Sequence, residues 1–240
     1  MYIIRNIRSE WLKMKRLFIK PCLLVLPILY SLFMLIYEQS LNYNIHEIYK
    51  FFLSGMCVGF PIVFSIYLSV MNIAEEKASN FQNILSNKTS KIQYLLSKII
   101  LLILLILFVL LIALITLEIG NIFIYNIYLP IILFIKGIIL FSVSSIPMIV
   151  LYLALTYMFG TNVAILLGCI GLLISTVMGT TVLGDNMWCF FPSSYSLRIC
   201  ANLVIRSYEA HQIYISLIIA LTILIISCAW FLKWEGRRNI

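Results

Sequence analysis

Residues 138–183 read IILFSVSSIPMIVLYLALTYMFGTNVAILLGCIGLLISTVMGTTVL, 46 positions between Gly137 and Gly184 without one charged side chain. About 20 apolar residues cross a hydrocarbon core as a helix, so this stretch crosses twice. Gly160-Thr161-Asn162 is the one place for the reversal. A soluble chain cannot present such a run to water, because uncovered apolar area drives aggregation.

The whole chain follows suit. Hydrophobic residues make up 63% and charged residues 11% of its 240 positions, and the mean hydropathy is +1.07. Soluble domains carry roughly 45–50% and 25%. The composition is that of a polytopic membrane protein with a single integral domain, 1–240. Segments 74–98 and 184–211, about 25 to 28 residues each, are too short to bury a core of their own.

Apolar runs matched to span length place six transmembrane helices near 21–37, 51–73, 93–117, 128–157, 162–183 and 212–232. The fold class is therefore all-α integral membrane. Ser90 with Gln93 three residues on has capping-box spacing at the start of the third span. Pro130 and Pro147 predict a kink in the fourth, whose length also implies tilt or an irregular start.

Basic residues set the orientation. Arg5, Arg8, Lys13, Lys15, Arg16 and Lys20 precede the first span. Lys77, Lys88, Lys91 and Lys98 lie between spans two and three, and Lys233, Arg237 and Arg238 follow the last. That puts 13 of 17 on one side. The positive-inside rule makes this side cytoplasmic, with both termini. The net charge of +8 reports topology, and no nucleic-acid partner is expected.

Four stretches are candidates for function. In residues 1–18, Ile3, Ile4, Ile7, Trp11, Met14 and Phe18 fall within one helical arc that no charge enters. This predicts a helix lying along the membrane surface, against the alternative of a plain basic flank. In the 74–90 region, Ala78, Phe81, Ile84 and Leu85 share a helical face, one that must be buried by the membrane or by a groove on a partner. Glu75 and Glu76, placed near the start of such a helix, suit its dipole. Segment 184–211 carries Trp188, Phe190, Phe191 and Tyr195, boundary aromatics, followed by an apolar stretch too short to span, which predicts a re-entrant or interfacial hairpin. Lys136 lies within span four and either snorkels or faces Glu118, the nearest opposite charge, in a polar pair.

The six cysteines show no C-x-x-C spacing. Cys189 and Cys200 share one loop and allow a disulfide if it faces an oxidising compartment. The chain has no G-x-x-x-x-G-K-[ST] phosphate loop and no H-E-x-x-H. Glu75-Glu76 resembles the paired glutamates of CAAX-type intramembrane proteases, but the Arg and membrane histidines of that family are missing. No metal site and no enzymatic activity are expected.

The layout and local text together resemble the permeases of type-2 ABC transporters. Ser9-Glu10-Trp11-Leu12-Lys13-Met14-Lys15-Arg16 is similar to their S-E-x-x-K-x-K/R opening. Glu75 through Leu85, then Thr89 to Lys98, is similar to their glutamate-led segment ending T-S-x-x-x-Y-x-x-S-K. The resemblance implies that 1–18 is an interface helix and that Glu75, Glu76, Ala78, Phe81, Ile84 and Leu85 belong to a coupling helix docked on an ATPase. It implies ATP and Mg bound by that separate ATPase, a second permease subunit, identical or paralogous, and a multi-pass location in the bacterial cytoplasmic membrane. Size and low charge are most similar to lantibiotic-immunity permeases, which implies export of an amphipathic antimicrobial peptide. The alternative from another class is a non-transporting membrane sensor or assembly factor that binds a peptide or lipid.

Overall fold

The computed structural model describes residues 2–14, 19–38, 44–79, 90–205 and 210–234, and these are helical almost throughout, with no strand among them. Helix α1 (Tyr2–Met14) precedes α2 (Ile19–Glu38), α3 (Ile45–Ser79) and α4 (Lys91–Gly120), which runs on through a π-helical turn (Asn121–Tyr125). Then come α5 (Ile131–Ser144), α6 (Ile146–Phe159) and α7 (Thr161–Thr180). The chain continues through α8 (Leu183–Met187), two 3₁₀ turns (Trp188–Phe190 and Pro192–Ser194), α9 (Tyr195–Ile205) and α10 (Ala210–Lys233).

Six helical stretches among the described residues are long and apolar enough to cross a membrane: Pro21–Glu38, Glu47–Lys77, Lys91–Tyr125, Ile131–Phe159, Thr161–Thr180 and His211–Lys233. The chain is a multi-pass membrane protein. Leu, Ile and Phe side chains stay exposed along these spans, Ile36, Leu104, Ile132 and Ile226 among them. In lipid that is the favoured arrangement, because tails are as apolar as the side chains.

Several boundaries differ from the sequence reading. The second and third spans extend at both ends, because α3 and α4 continue beyond the purely apolar runs. The fourth begins at Ile131, not 128, and Pro130 precedes the helix and bends nothing. Pro147 breaks this span at Ser145. The break is dressed by hydroxyls: Ser142 donates to the Ile138 carbonyl, Ser144 to Phe141 and Ser145 to Ser142, at 2.8–3.1 Å. The break is buried, and such bonds give its backbone carbonyls donors where water is absent. The reversal falls on Gly160, with φ 100° and ψ −179°, a region that only glycine enters without strain.

Helices α3 and α7 form the most extensive pair. The buried residues of α7 are Ala164, Gly168, Gly171 and Ser175, a seam of small side chains that lets two backbones approach closely. A Cβ at Gly168 would run into Ser65 and the Pro61 carbonyl. Ser90 caps α4 as expected, accepting from the Gln93 N–H at 3.3 Å. Helix α9 packs against α3 and α5, and its Leu197 and Cys200 join the main core. Cys189 and Cys200 are free thiols, since Cys200 turns inward to the Gly137 carbonyl at 3.7 Å.

Candidate functional site

At the end of the bundle that carries α1, helices α1, α3, α4 and α6 bring ionisable side chains together inside the protein. Glu75 is in the last turns of α3 and 7% exposed. Lys98, two turns into α4, is 1% exposed, and its ammonium lies 2.8 Å from Glu75 Oε1. Tyr94, one turn before Lys98 on the same face of α4, donates to Glu75 Oε1 at 2.6 Å. Tyr157 on α6 donates to Glu75 Oε2 at 2.9 Å and accepts from Lys98 at 2.7 Å.

Glu75, Lys98 and both phenols have their partners here. Both Glu75 oxygens accept and Lys98 donates twice, and its charge also sits 5.0 Å from the Tyr157 ring centroid. Helix α1 adds a second pair: Glu10, fully buried, bonds to Lys13 one turn on. The Tyr94 hydroxyl is 3.5 Å from Glu10 Oε1, and Lys13 lies 5.7 Å from the Tyr94 ring centroid. The four charges cancel. On the far side of Tyr157, Phe231 and Trp234 of the α10 end stack on each other, with centroids 5.2 Å apart, and both meet its ring. Lys91 donates to the carbonyls of Leu232 and Trp234 at 3.2 and 2.6 Å, closing the last turn of α10. Five helices thus end on one polar hub.

A groove of about 280 Å³ lies between α2, α3 and α4, lined by Leu23, Tyr30, Gly59, Phe64, Ile106 and Phe141 among others, and is almost wholly apolar. At the opposite end of the bundle, Trp188 and Tyr195 pack edge to face, with centroids 5.4 Å apart. Burial raises the Tyr195 phenol and the Cys189 thiol above their ordinary values, so both stay protonated at neutral pH.

The structure brings some of the candidate residues together and separates others. Glu75 and Glu76 end a helix instead of starting one, so the dipole role does not apply; Glu75 is held by Lys98 and two tyrosines. Helix α1 exists, but what it buries is Glu10, about 20° outside the apolar arc at 100° per residue. Ile7 packs on the core, while Trp11 is 40% exposed. Glu118 and Lys136 form no ion pair: Lys136 is exposed, and Glu118 faces α2. Phe18, Phe81, Ile84 and Leu85 lie outside the described residues, as do the side chains of Ile3, Met14 and Ala78.

Sequence reasoning takes Lys98 for a topology charge and passes over Tyr157. The available signal is the i, i+4 spacing of Tyr94 and Lys98 at the mouth of an otherwise apolar span. Among the described residues no group of three or more His, Cys, Asp or Glu is placed to hold a metal. No known protein-family model matches the chain, and no curated protein is similar to it in sequence. What fold and site define together is a six-span membrane protein with a charge-neutral hub buried at one end.

Proposed function

We propose that the chain is the permease subunit of an ATP-driven exporter of the bacterial cytoplasmic membrane, one that expels a lantibiotic or other antimicrobial peptide and gives its host immunity or resistance. The observation that carries this is the Glu75 hub. Glu75, Tyr94 and Lys98 come from the two arms of the glutamate-led segment, on either side of 80–89, and they meet at bonding distance.

In this scheme 1–18 is the interface helix, 74–90 the coupling region and 184–211 the outer hairpin. A push on 80–89 from a closing ATPase reaches α3 through Ser79 and α4 through Ser90. Glu75 and Lys98 lock those two helices to each other, to α6 through Tyr157 and to the neighbourhood of α1 through Tyr94. The spans then move as a unit, as transport requires. The apolar groove between α2, α3 and α4 suits the aliphatic side chains of an amphipathic peptide.

The test is docking. Burying a Phe contributes about 1.5–3 kcal/mol, so Phe81→Ala weakens ATPase association by tenfold or more. Phe81→Asp weakens it further by placing an unpaired charge in the groove. The readouts are co-purification with an ATPase encoded beside the gene, substrate-stimulated ATP hydrolysis and survival against the peptide. Undiminished hydrolysis in both variants removes the coupling role from Phe81. If no ATPase follows the unmutated chain, the sensor or assembly alternative replaces the exporter.

A further inference from the structure

At the end of the bundle away from the Glu75 hub, α2 and α4 converge on a second polar site. Gly120 lies against α2, where a Cβ would meet the Leu35 side chain. The Tyr125 hydroxyl then ties the π-helical turn to the Leu35 carbonyl at 2.9 Å. Glu38 on α2 is fully buried, as is Asn121 at the start of the π-helical turn. Glu118 stands one turn before Asn121 on the same face of α4, close enough to Glu38 for their charges to repel.

Glu38 and Asn121 are each pinned by one atom and left open at another, and Glu118 adds a third open oxygen. Asn121 Nδ2 donates to Glu38 Oε1 at 3.2 Å and to the Leu117 carbonyl at 3.1 Å. Glu38 Oε2, Glu118 Oε2 and Asn121 Oδ1 are buried with no donor. Among the described residues neither carboxylate has an ion-pair partner. Lys50 and Lys136 are exposed, and residues 39–43 carry no charge. Desolvation strongly opposes the charge of the fully buried Glu38, and Glu118, half-buried beside it, adds like charge without a counter-ion. What completes them brings positive charge and N–H donors and carries no acceptor. A primary ammonium has one charge and three donors, matching three open oxygens.

We infer that Glu38, Glu118 and Asn121 form a binding site for a primary ammonium group, supplied by an aminophospholipid headgroup or by a lysine side chain or amino terminus of a peptide. The peptide source rests on the exporter proposal. The site itself does not, because binding is read on the isolated chain, and its failure is a separate result from failure to recruit an ATPase.

The experiment uses the full chain in phosphatidylcholine nanodiscs, following the thermal midpoint by tryptophan fluorescence. Propylammonium chloride is titrated beside tetramethylammonium chloride and calcium chloride at matched ionic strength. Propylammonium raises the midpoint and saturates, while tetramethylammonium, which has no N–H, does not. Glu38→Gln and Glu118→Gln, which keep side-chain shape, each weaken the apparent affinity about tenfold. Lys136→Gln leaves it unchanged. The assignment is overturned by an equal response to tetramethylammonium, by a larger one to calcium, by none at all, or by full response in both Gln variants. Loss of response in Lys136→Gln also overturns it, as Lys136 would then belong to the site. The first comparison needs no variant and stands even if one fails to fold. Phosphatidylethanolamine in the disc, or a lysine-bearing peptide against its fully acetylated form, then separates the sources. The one that occupies the site abolishes the propylammonium shift, and if neither does, the headgroup-or-peptide assignment is overturned.

Discussion

Glu75 accepts from three side chains on two other helices, and no two of those donors substitute for the third. The phenols of Tyr94 and Tyr157 supply hydrogen bonds, but only Lys98 supplies charge. Removing one partner of a buried pair strands the other, at a cost of about 3–5 kcal/mol. Lys98→Met is therefore expected to lower stability by about that amount in detergent, read by thermal or denaturant unfolding. Adding Glu75→Gln to that background restores part of the loss, since the stranded charge is gone while the amide oxygen accepts from one phenol and the amide NH2 donates to the other. The coupling between the two substitutions is expected to exceed about 1 kcal/mol; simple additivity would show that the pair contributes nothing beyond its separate contacts. At this scale the sequence is hard to read. Glu75 is visible as an acid beside a long apolar run, but its partners lie 19, 23 and 82 positions away in the chain. Composition and periodicity do not report such distances. Glu10 is harder still: it sits just beyond the apolar arc of α1, and only the packing of α1 on α4 turns that edge inward.

Whole helices are far more legible than single contacts. A lipid-spanning segment needs length and apolarity, both local properties, which is why all six spans and the Gly160 reversal can be found without a structure. Their ends are less so. Continuation of α4 past Leu117 depends on the π-helical turn, and the start of the fourth span depends on which side of Pro130 the backbone becomes helical. Gly160 offers a test. Its φ of 100° comes with ψ −179°, outside the left-handed region where asparagine is tolerated. Gly160→Ala and Gly160→Asn are both expected to destabilise by about 1–3 kcal/mol, with no relief from asparagine. Asn126, at φ 53° and ψ 32°, is a true left-handed residue, and Asn126→Gly is expected to be nearly neutral. Unfolding midpoints of the three variants decide this. Rescue by asparagine at position 160 would mean the turn relaxes toward the left-handed region.

At the scale of the molecule, charge and structure divide the chain the same way. The ends of α1, α3, α6 and α10 and the start of α4 lie together around the Glu75 hub, and there the basic residues of the sequence gather. The opposite end holds the Glu38 site, the 126–130 connection and the 183–205 segment, with few Lys or Arg. If the positive-inside rule governs insertion, the hub end faces the cytoplasm. Ser90 and Tyr128, both exposed and at opposite ends of the third span, mark the two sides. In a background with all six cysteines replaced, Tyr128→Cys is expected to react with a membrane-impermeant maleimide on intact cells. Ser90→Cys should react only after permeabilisation. Two further positions check the same orientation away from this helix: Asn44→Cys groups with 128, and Asn83→Cys with 90. Labelling of position 90 or 83 from outside would invert the topology. It would also put the Glu75 hub and the 80–89 segment beyond the reach of any cytoplasmic ATPase, ending the exporter proposal without touching the fold.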